Sequence, residues 1–155
     1  MKLLLINLFL ATFFADRLSK LWALSALADG PMHVFDMLNF ELLWNRGVSW
    51  SLFATDGAKG FWLLTGIIVI TFTIFIGYTL WRFLNHFSVG PEILIAAGAF
   101  SNLCDRFWYG AVIDFVDLHL EQYHFATFNI ADAAIVLGVM CMLLRMWSTP
   151  RERTF

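Results

Sequence analysis

The sequence predicts an all-α integral membrane protein with four transmembrane helices and a small extramembrane β-hairpin between the first and second. Three observations lead there. Of 155 residues, 60% are hydrophobic, 17% aromatic and only 14% charged, and mean hydropathy is +0.72, a composition suited to lipid rather than water. Apolar runs close to membrane-spanning length recur four times. Ten of the twelve acidic residues fall in segments that four spans place on one membrane face, leaving only Glu92 and Glu152 on the other. A net charge of -2 gives no basic excess, so nucleic acid is excluded as a partner. Cys104 and Cys141 lie in apolar runs, where a thiol is ordinarily a small inert core residue.

The clearest span is FWLLTGIIVITFTIFIGYTLW, from Phe61 to Trp81. It carries no charge, and at about 1.5 Å per residue it covers a hydrocarbon core of roughly 30 Å. It anchors the second helix, placed at 59–82. The first helix, at 3–28, runs uncharged from Leu3 to Ala15 and then takes in Asp16, Arg17 and Lys20 near its far end. It reads as an uncleaved span, because no small-x-small site precedes Asp16. The third, at 89–108, is rich in small residues (Ala96, Ala97, Gly98, Ala99, Ser101) that let helix backbones approach closely, so it is expected at the centre of the bundle. The fourth occupies 129–147. No repeat interrupts the chain, which reads as a single membrane domain over residues 1–155 with loops at 29–58 and 109–128.

Four spans put both termini on one side and the two long connections on the other. Lysine and arginine divide evenly, five on each side, so the positive-inside rule does not choose an orientation. Setting aside Arg17, Lys20 and Arg106 as site or helix residues tilts the count toward cytoplasmic termini.

Within the first connection, Phe40, Leu42 and Trp44 alternate, as do Val48, Trp50 and Leu52. Asn45-Arg46-Gly47 between them supplies turn chemistry, and a small hairpin follows. Its simplest role is interfacial anchoring through Trp44 and Trp50. Asp16 and Lys20 stand at i and i+4, a spacing that pairs them on one helix face. Taken alone they are a snorkelling pair of little energetic weight. Asn102 and Arg106 share a face by the same spacing, and Asp16 or Asp105 is the expected partner for the arginine. Asn129 is placed as an N-cap, with Asp132 at the third helical position, where a carboxylate meets the positive end of the helix dipole.

A second carboxylate makes Asp132 more than a capping residue. Asp114, in VIDFVDLH, sits in the connection leading into the fourth helix and reaches the same interface. Two carboxylates in a poorly solvated site cannot both ionise cheaply and tend to share a proton. Such a pair can activate a water and support an oxyanion, the chemistry of an aspartic protease. A metal site built on Asp114, Asp117, His119 and His124 is the competing chemistry, but their spacing fits no compact ligand motif. No metal and no cofactor are expected.

Taken in order, DRLSK, NRGVSWS, SNLCDR, VIDF and FNIAD resemble the lipoprotein signal peptidases, the signal peptidase II family, and the resemblance spans essentially the whole chain. It implies an aspartic endopeptidase of the bacterial inner membrane that removes the signal peptide of prolipoproteins, cutting before a diacylglyceryl-modified cysteine. The partners implied are prolipoprotein substrates and membrane lipids, and a monomer is expected. By motif, Asp114 and Asp132 resemble the catalytic dyad. Asn102, Arg106 and Asn129 resemble the residues that hold substrate and order the dyad, Asp16 and Lys20 the supporting pair, and Asn45 and Gly47 the substrate cradle of an extramembrane sheet. The resemblance also implies cytoplasmic termini and a site at the periplasmic face. Arg17, Ser49, Trp50, Ser101 and Ala126 depart from the family pattern, which marks the cradle and the packing of the third helix as the places where this chain differs. Two other readings use the same acids, a proton or ion path and a non-proteolytic accessory paralogue. Confinement of the acids to one face opposes the first, because conduction needs polar groups through the midplane.

Overall fold

The computed structural model describes residues 2–47, 58–120 and 123–148. Four long helices are present: α1 (Lys2–Ala26), α2 (Ala58–Leu84), α3 (Gly90–Tyr109) and α4 (Ile130–Ser148). Strands β1 (Met32–Phe35) and β2 (Leu38–Asn45) lie between α1 and α2, and β3 (Val112–Leu120) and β4 (Tyr123–Phe128) between α3 and α4. The strands form one antiparallel sheet in the order β1-β2-β3-β4.

The helices bury their polar residues and expose their apolar ones. In α1 the buried residues are Asp16, Arg17, Lys20 and Ala23, whereas Leu3 and Leu4 are 71% and 70% exposed. In water this distribution would be unstable; in lipid, where an unpaired charge is costly and an exposed leucine is not, it is the stable one. Among the described residues, two helices, α2 from Lys59 and α4, are long and apolar enough to cross a membrane. α1 and α3 carry charges that are buried inside the bundle.

α3 packs against each of the other three helices, as its small residues require. A Cβ at Gly98 would stand 2.4 Å from the Ala131 carbonyl oxygen, and one at Gly138 would stand 2.7 Å from that of Pro91. The α3–α4 contact is therefore backbone-close at both ends. Away from the sheet, Glu92 of α3 is fully buried and binds Arg82 of α2 (Nε, 2.9 Å) and Arg145 of α4 (Nη2, 2.6 Å). Three helices are tied there by one carboxylate.

The sheet contains more than the hairpin expected from sequence. The β1–β2 hairpin turns earlier, at Asp36 and Met37, with Phe35 opposite Leu38. β2 ends at Asn45, and the second arm expected at Val48, Trp50 and Leu52 lies outside the described residues. The connection read as a loop at 109–128 supplies β3 and β4, so half of the sheet comes from it. β3 is buried along Val112–Phe115 without alternation, and a strand covered on both faces lacks the period-two pattern that reveals a strand in sequence. Gly110 makes the reversal possible. Its left-handed backbone (φ 68°) ends α3, and its N–H closes on the Arg106 carbonyl, a conformation that favours glycine.

The close approach at Gly98 gives a differential test. Gly98→Ala pushes a methyl group into the first turn of α4 and is expected to cost about 1–3 kcal/mol, the range for overpacking. Gly66→Ala in α2, whose Cβ would meet nothing within 4 Å, should leave the thermal transition in detergent unchanged or slightly raised.

Candidate active site

The candidate residues converge where the sheet meets the ends of α1 and α3 and the start of α4. Asp114, on β3 opposite Leu43 of β2, is 1% exposed. Its Oδ1 accepts from Asn129 Nδ2 at 2.7 Å and its Oδ2 from Asn45 Nδ2 at 2.9 Å. Asp132 lies in the first turn of α4. Its Oδ1 accepts from Asn102 Nδ2 at 2.8 Å and its Oδ2 from the Asn129 backbone N–H at 3.3 Å. The Asp132 N–H in turn donates to Asn129 Oδ1 at 2.9 Å, completing the reciprocal cap expected from FNIAD. Asn129 thus reaches both carboxylates, Asp114 with its amide and Asp132 with its backbone.

The three asparagines have no freedom to flip. Each amide oxygen faces an obligate donor: Gly47 N–H for Asn45 (2.9 Å), the Lys20 ammonium for Asn102 (2.8 Å) and Asp132 N–H for Asn129. Each Nδ2 is consequently directed at a carboxylate. Asn102 Oδ1 also accepts from Asn129 Nδ2 at 3.2 Å, linking the two halves.

Asp16 and Lys20 are both fully buried, not a snorkelling pair at a helix end. The Lys20 ammonium binds Asp16 Oδ2 at 2.7 Å, Asp105 Oδ2 at 2.8 Å and Asn102 Oδ1, which uses all three of its donors. Arg17, also buried, donates from Nη1 to Asp105 Oδ1 at 2.5 Å and to the Ser101 carbonyl at 3.3 Å, and stacks on Trp108. Ser101 Oγ donates to Asp16 Oδ2 at 2.7 Å. Asp105, Arg17 and Ser101 belong to the polar group although the sequence placed none of them among the site residues; Asp105 was expected only as a partner for Arg106, and Arg17 and Ser101 stood out only as departures from the family pattern. Asp105 and Asp16, expected partners of Arg106, are taken by Lys20 and Arg17. Arg106 instead donates from Nη2 to the Gly47 carbonyl and lies over Phe61. Its Nη1 is buried with no hydrogen-bond partner among the described residues.

Two of the family departures, Ser49 and Trp50, lie outside the described residues, and Ala126 pairs with Leu118 in the sheet. Asp117 and His119 of the competing metal reading point to sheet partners. Thr127 Oγ1 approaches Asp117 at 3.5 Å, and Asn39 Nδ2 lies 3.1 Å from His119 Nε2.

A cavity of about 310 Å3 opens beside this cluster. Its polar wall is Asn45, Gly47, Asn102, Arg106 and Asp132, and Ile68 of α2 and Val136 of α4 line its apolar side. A larger, almost wholly apolar cavity of about 690 Å3 between α2 and α3 shares Ile68 and Ala99 with it. Burial, and then the negative charge of Asp132, raise the Asp114 carboxyl to a pKa of about 7. Near neutral pH the Asp114 carboxyl is therefore able to hold a proton that an exposed aspartate would have lost.

An inside-out helix bundle with Asp132 in the wall of a cavity, and Asp114 buried behind it and joined to it through Asn129, defines an integral membrane protein with two carboxyl groups held in one polar cluster. Residues 8–148 match the family model described as signal peptidase (SPase) II. Lipoprotein signal peptidases from Methylorubrum extorquens (39% identical over 87% of this chain and 80% of theirs), Coxiella burnetii (35%, over 89% and 86%) and Dichelobacter nodosus (38%, over 86% and 87%) are similar along most of their length. Two solved structures of a bacterial membrane enzyme share the fold at 23% identity. Their TM-scores are 0.75 and 0.74, the matches covering 97% and 94% of this chain and 93% and 94% of theirs. The chain belongs to the signal peptidase II family and is a membrane-embedded peptidase.

The raised Asp114 pKa has a consequence for stability. The folded protein binds this proton more tightly than an unfolded chain, where the carboxyl titrates near 3.8. The contribution of Asp114 is thus greatest below about pH 4 and is lost as pH rises through about 7. Asp114→Asn, which cannot ionise, should lose less thermal stability than the wild type between about pH 5 and pH 8, as read by tryptophan fluorescence in detergent. Equal losses would contradict the raised pKa.

Proposed function

We propose that this protein is an aspartic endopeptidase that cleaves the signal peptide from diacylglyceryl-modified prolipoproteins on the N-terminal side of the lipidated cysteine, with Asp114 and Asp132 as its catalytic dyad. The observation that carries this is the single residue Asn129 bonded to both carboxylates beside a cavity with one polar and one apolar wall. Family membership supports the substrate class.

In this reading the ionised carboxylate takes a proton from a water as its oxygen attacks the scissile carbonyl carbon. The protonated partner donates a hydrogen bond to the developing oxyanion. The tetrahedral intermediate then breaks its C–N bond as the dyad delivers a proton to the leaving amine of the cysteine. The signal peptide departs with a new carboxylate, and water supplies its second oxygen. The two asparagine amides on Asp114 and the amide and backbone donors on Asp132 hold both carboxyl groups against rotation and stabilise the charge that passes between them. The unpartnered Nη1 of Arg106 is a donor ready for a substrate carbonyl, and Asn45 and Gly47 form the adjoining edge of the cradle.

The reading extends to topology. α1 and α3 complete a four-span bundle when their buried charges are counted as internally paired. The termini are then cytoplasmic and the site faces the periplasm at the inner membrane, with the sheet resting on the outer surface. The large apolar cavity adjoins the site, sharing Ile68 and Ala99 with the smaller one, which suits a substrate that carries acyl chains. A monomer contains every residue the reaction uses.

Purified protein supplied with a diacylglyceryl-modified prolipoprotein tests this. Asp114→Asn and Asp132→Asn should each lower cleavage by at least about 10²-fold, the lower range for general acid–base groups, with folding retained. Cleavage that survives either substitution, or that stops when a chelator is added, overturns the dyad.

A further inference from the structure

Two carboxylates outside the dyad are arranged about it in the same way. Asp16 Oδ1 accepts from the Ala131 N–H at 2.8 Å, the residue immediately before Asp132. Asp105 Oδ2 accepts from the Ile113 N–H at 3.3 Å, the residue immediately before Asp114. The Lys20 ammonium lies between them, 2.7 Å from Asp16 and 2.8 Å from Asp105. One cation therefore joins two anions, and each anion grips the backbone next to one dyad residue. The third Lys20 proton goes to Asn102, whose amide holds Asp132.

We propose that Asp105 is a positioning residue for Asp114, the counterpart of Asp16 for Asp132, and that Lys20 fixes the separation of the two dyad backbones by bridging them, with Arg17 holding Asp105 in the orientation this requires. The inference rests on the dyad reading and adds how the dyad is held. Asp114 sits on β3 and Asp132 on α4, so no single element sets their distance. The strut runs instead through α1 and α3, which are rigid helices, and attaches to β3 and α4 by one backbone hydrogen bond each.

Charge accounts for the fourth member. Asp16 and Asp105 are fully buried, and Lys20 alone leaves them with one uncompensated negative charge close to a pair of carboxylates that must also hold charge. Arg17, bonded to Asp105 Oδ1, makes the group two cations and two anions. It also occupies the oxygen of Asp105 that Lys20 and Ile113 do not use, which prevents the carboxylate from turning away. None of the four residues lines the cavity beside Asp132. They act on catalysis through backbone placement and not through contact with substrate.

The test separates kcat from KM on a diacylglyceryl-modified prolipoprotein in detergent, using full-length protein checked for a cooperative thermal transition. Asp105→Asn weakens the bonds to Lys20 and Arg17 without changing the cavity. It should lower kcat about tenfold or more while KM stays within about threefold. Arg17→Met, at the margin of the group, should lower kcat about fivefold with the same constancy of KM, and Arg17→Lys should recover most of that loss. The Arg17 pair decides the matter if Asp105→Asn does not fold. Unchanged kcat in the folded variants, or a rise in KM with kcat preserved, overturns the inference. Asp114→Asn is measured alongside. If it retains cleavage, the dyad reading itself fails; if it is inactive while Asp105→Asn and Arg17→Met keep wild-type kcat, only the positioning inference fails.

Discussion

The bundle depends on a group of buried charges that would be prohibitively costly in lipid if any member lacked a partner. Lys20 and Asp16 on α1, Asp105 on α3 and Arg17 beside them neutralise one another within hydrogen-bond distance. Desolvating four charges carries a large penalty, and replacing such groups by apolar side chains is often neutral or stabilising in other proteins. Their presence here is accounted for by the bonds they make outward, to Asn102, Ala131 and Ile113. Stability alone does not require that geometry, whereas the proposed reaction at Asp114 and Asp132 would use it.

The rest of the architecture serves the same convergence. Gly98 and Gly138 let α4 lie against α3 at backbone distance, which brings the first turn of α4 within reach of Asn102 and Asp16. Gly110 turns the chain at the end of α3 so that β3 returns over the bundle and carries Asp114 inward. The sheet then places Asn45 against Asp114 from the other side. At the far end, Glu92 with Arg82 and Arg145 fastens α2, α3 and α4. With α2 secured there, the wide apolar space between α2 and α3 lies toward the site. Rigid polar anchoring and an open apolar flank coexist because they occupy different ends and faces of the same helices.

Two chemical environments meet at the cavity. Its polar wall is fixed by amides whose orientation is dictated by obligate donors, so little reorganisation accompanies charge development. Behind it, burial and then the negative charge of Asp132 raise the proton affinity of Asp114 toward neutrality. A peptide bond adjoining a lipid-bearing residue has this same split character.

The helical segments were legible because lipid imposes a simple rule on sequence: long runs without charge, as in Phe61–Trp81. The Asn129–Asp132 cap was legible as well, being local chemistry within four residues. Composition and five short motifs in order also indicated the family. Sequence could not show that Asp16 and Lys20 are buried instead of snorkelling, that Arg17 and Asp105 complete their charge, or that Arg106 serves Gly47. Those facts depend on which helices face one another. The start of β3 was hidden because a strand covered on both faces shows no alternation. Local periodicity and the cost of charge in lipid are written along the chain, whereas the choice of partner for each buried charge is made only when α1, α3, α4 and β3 come together.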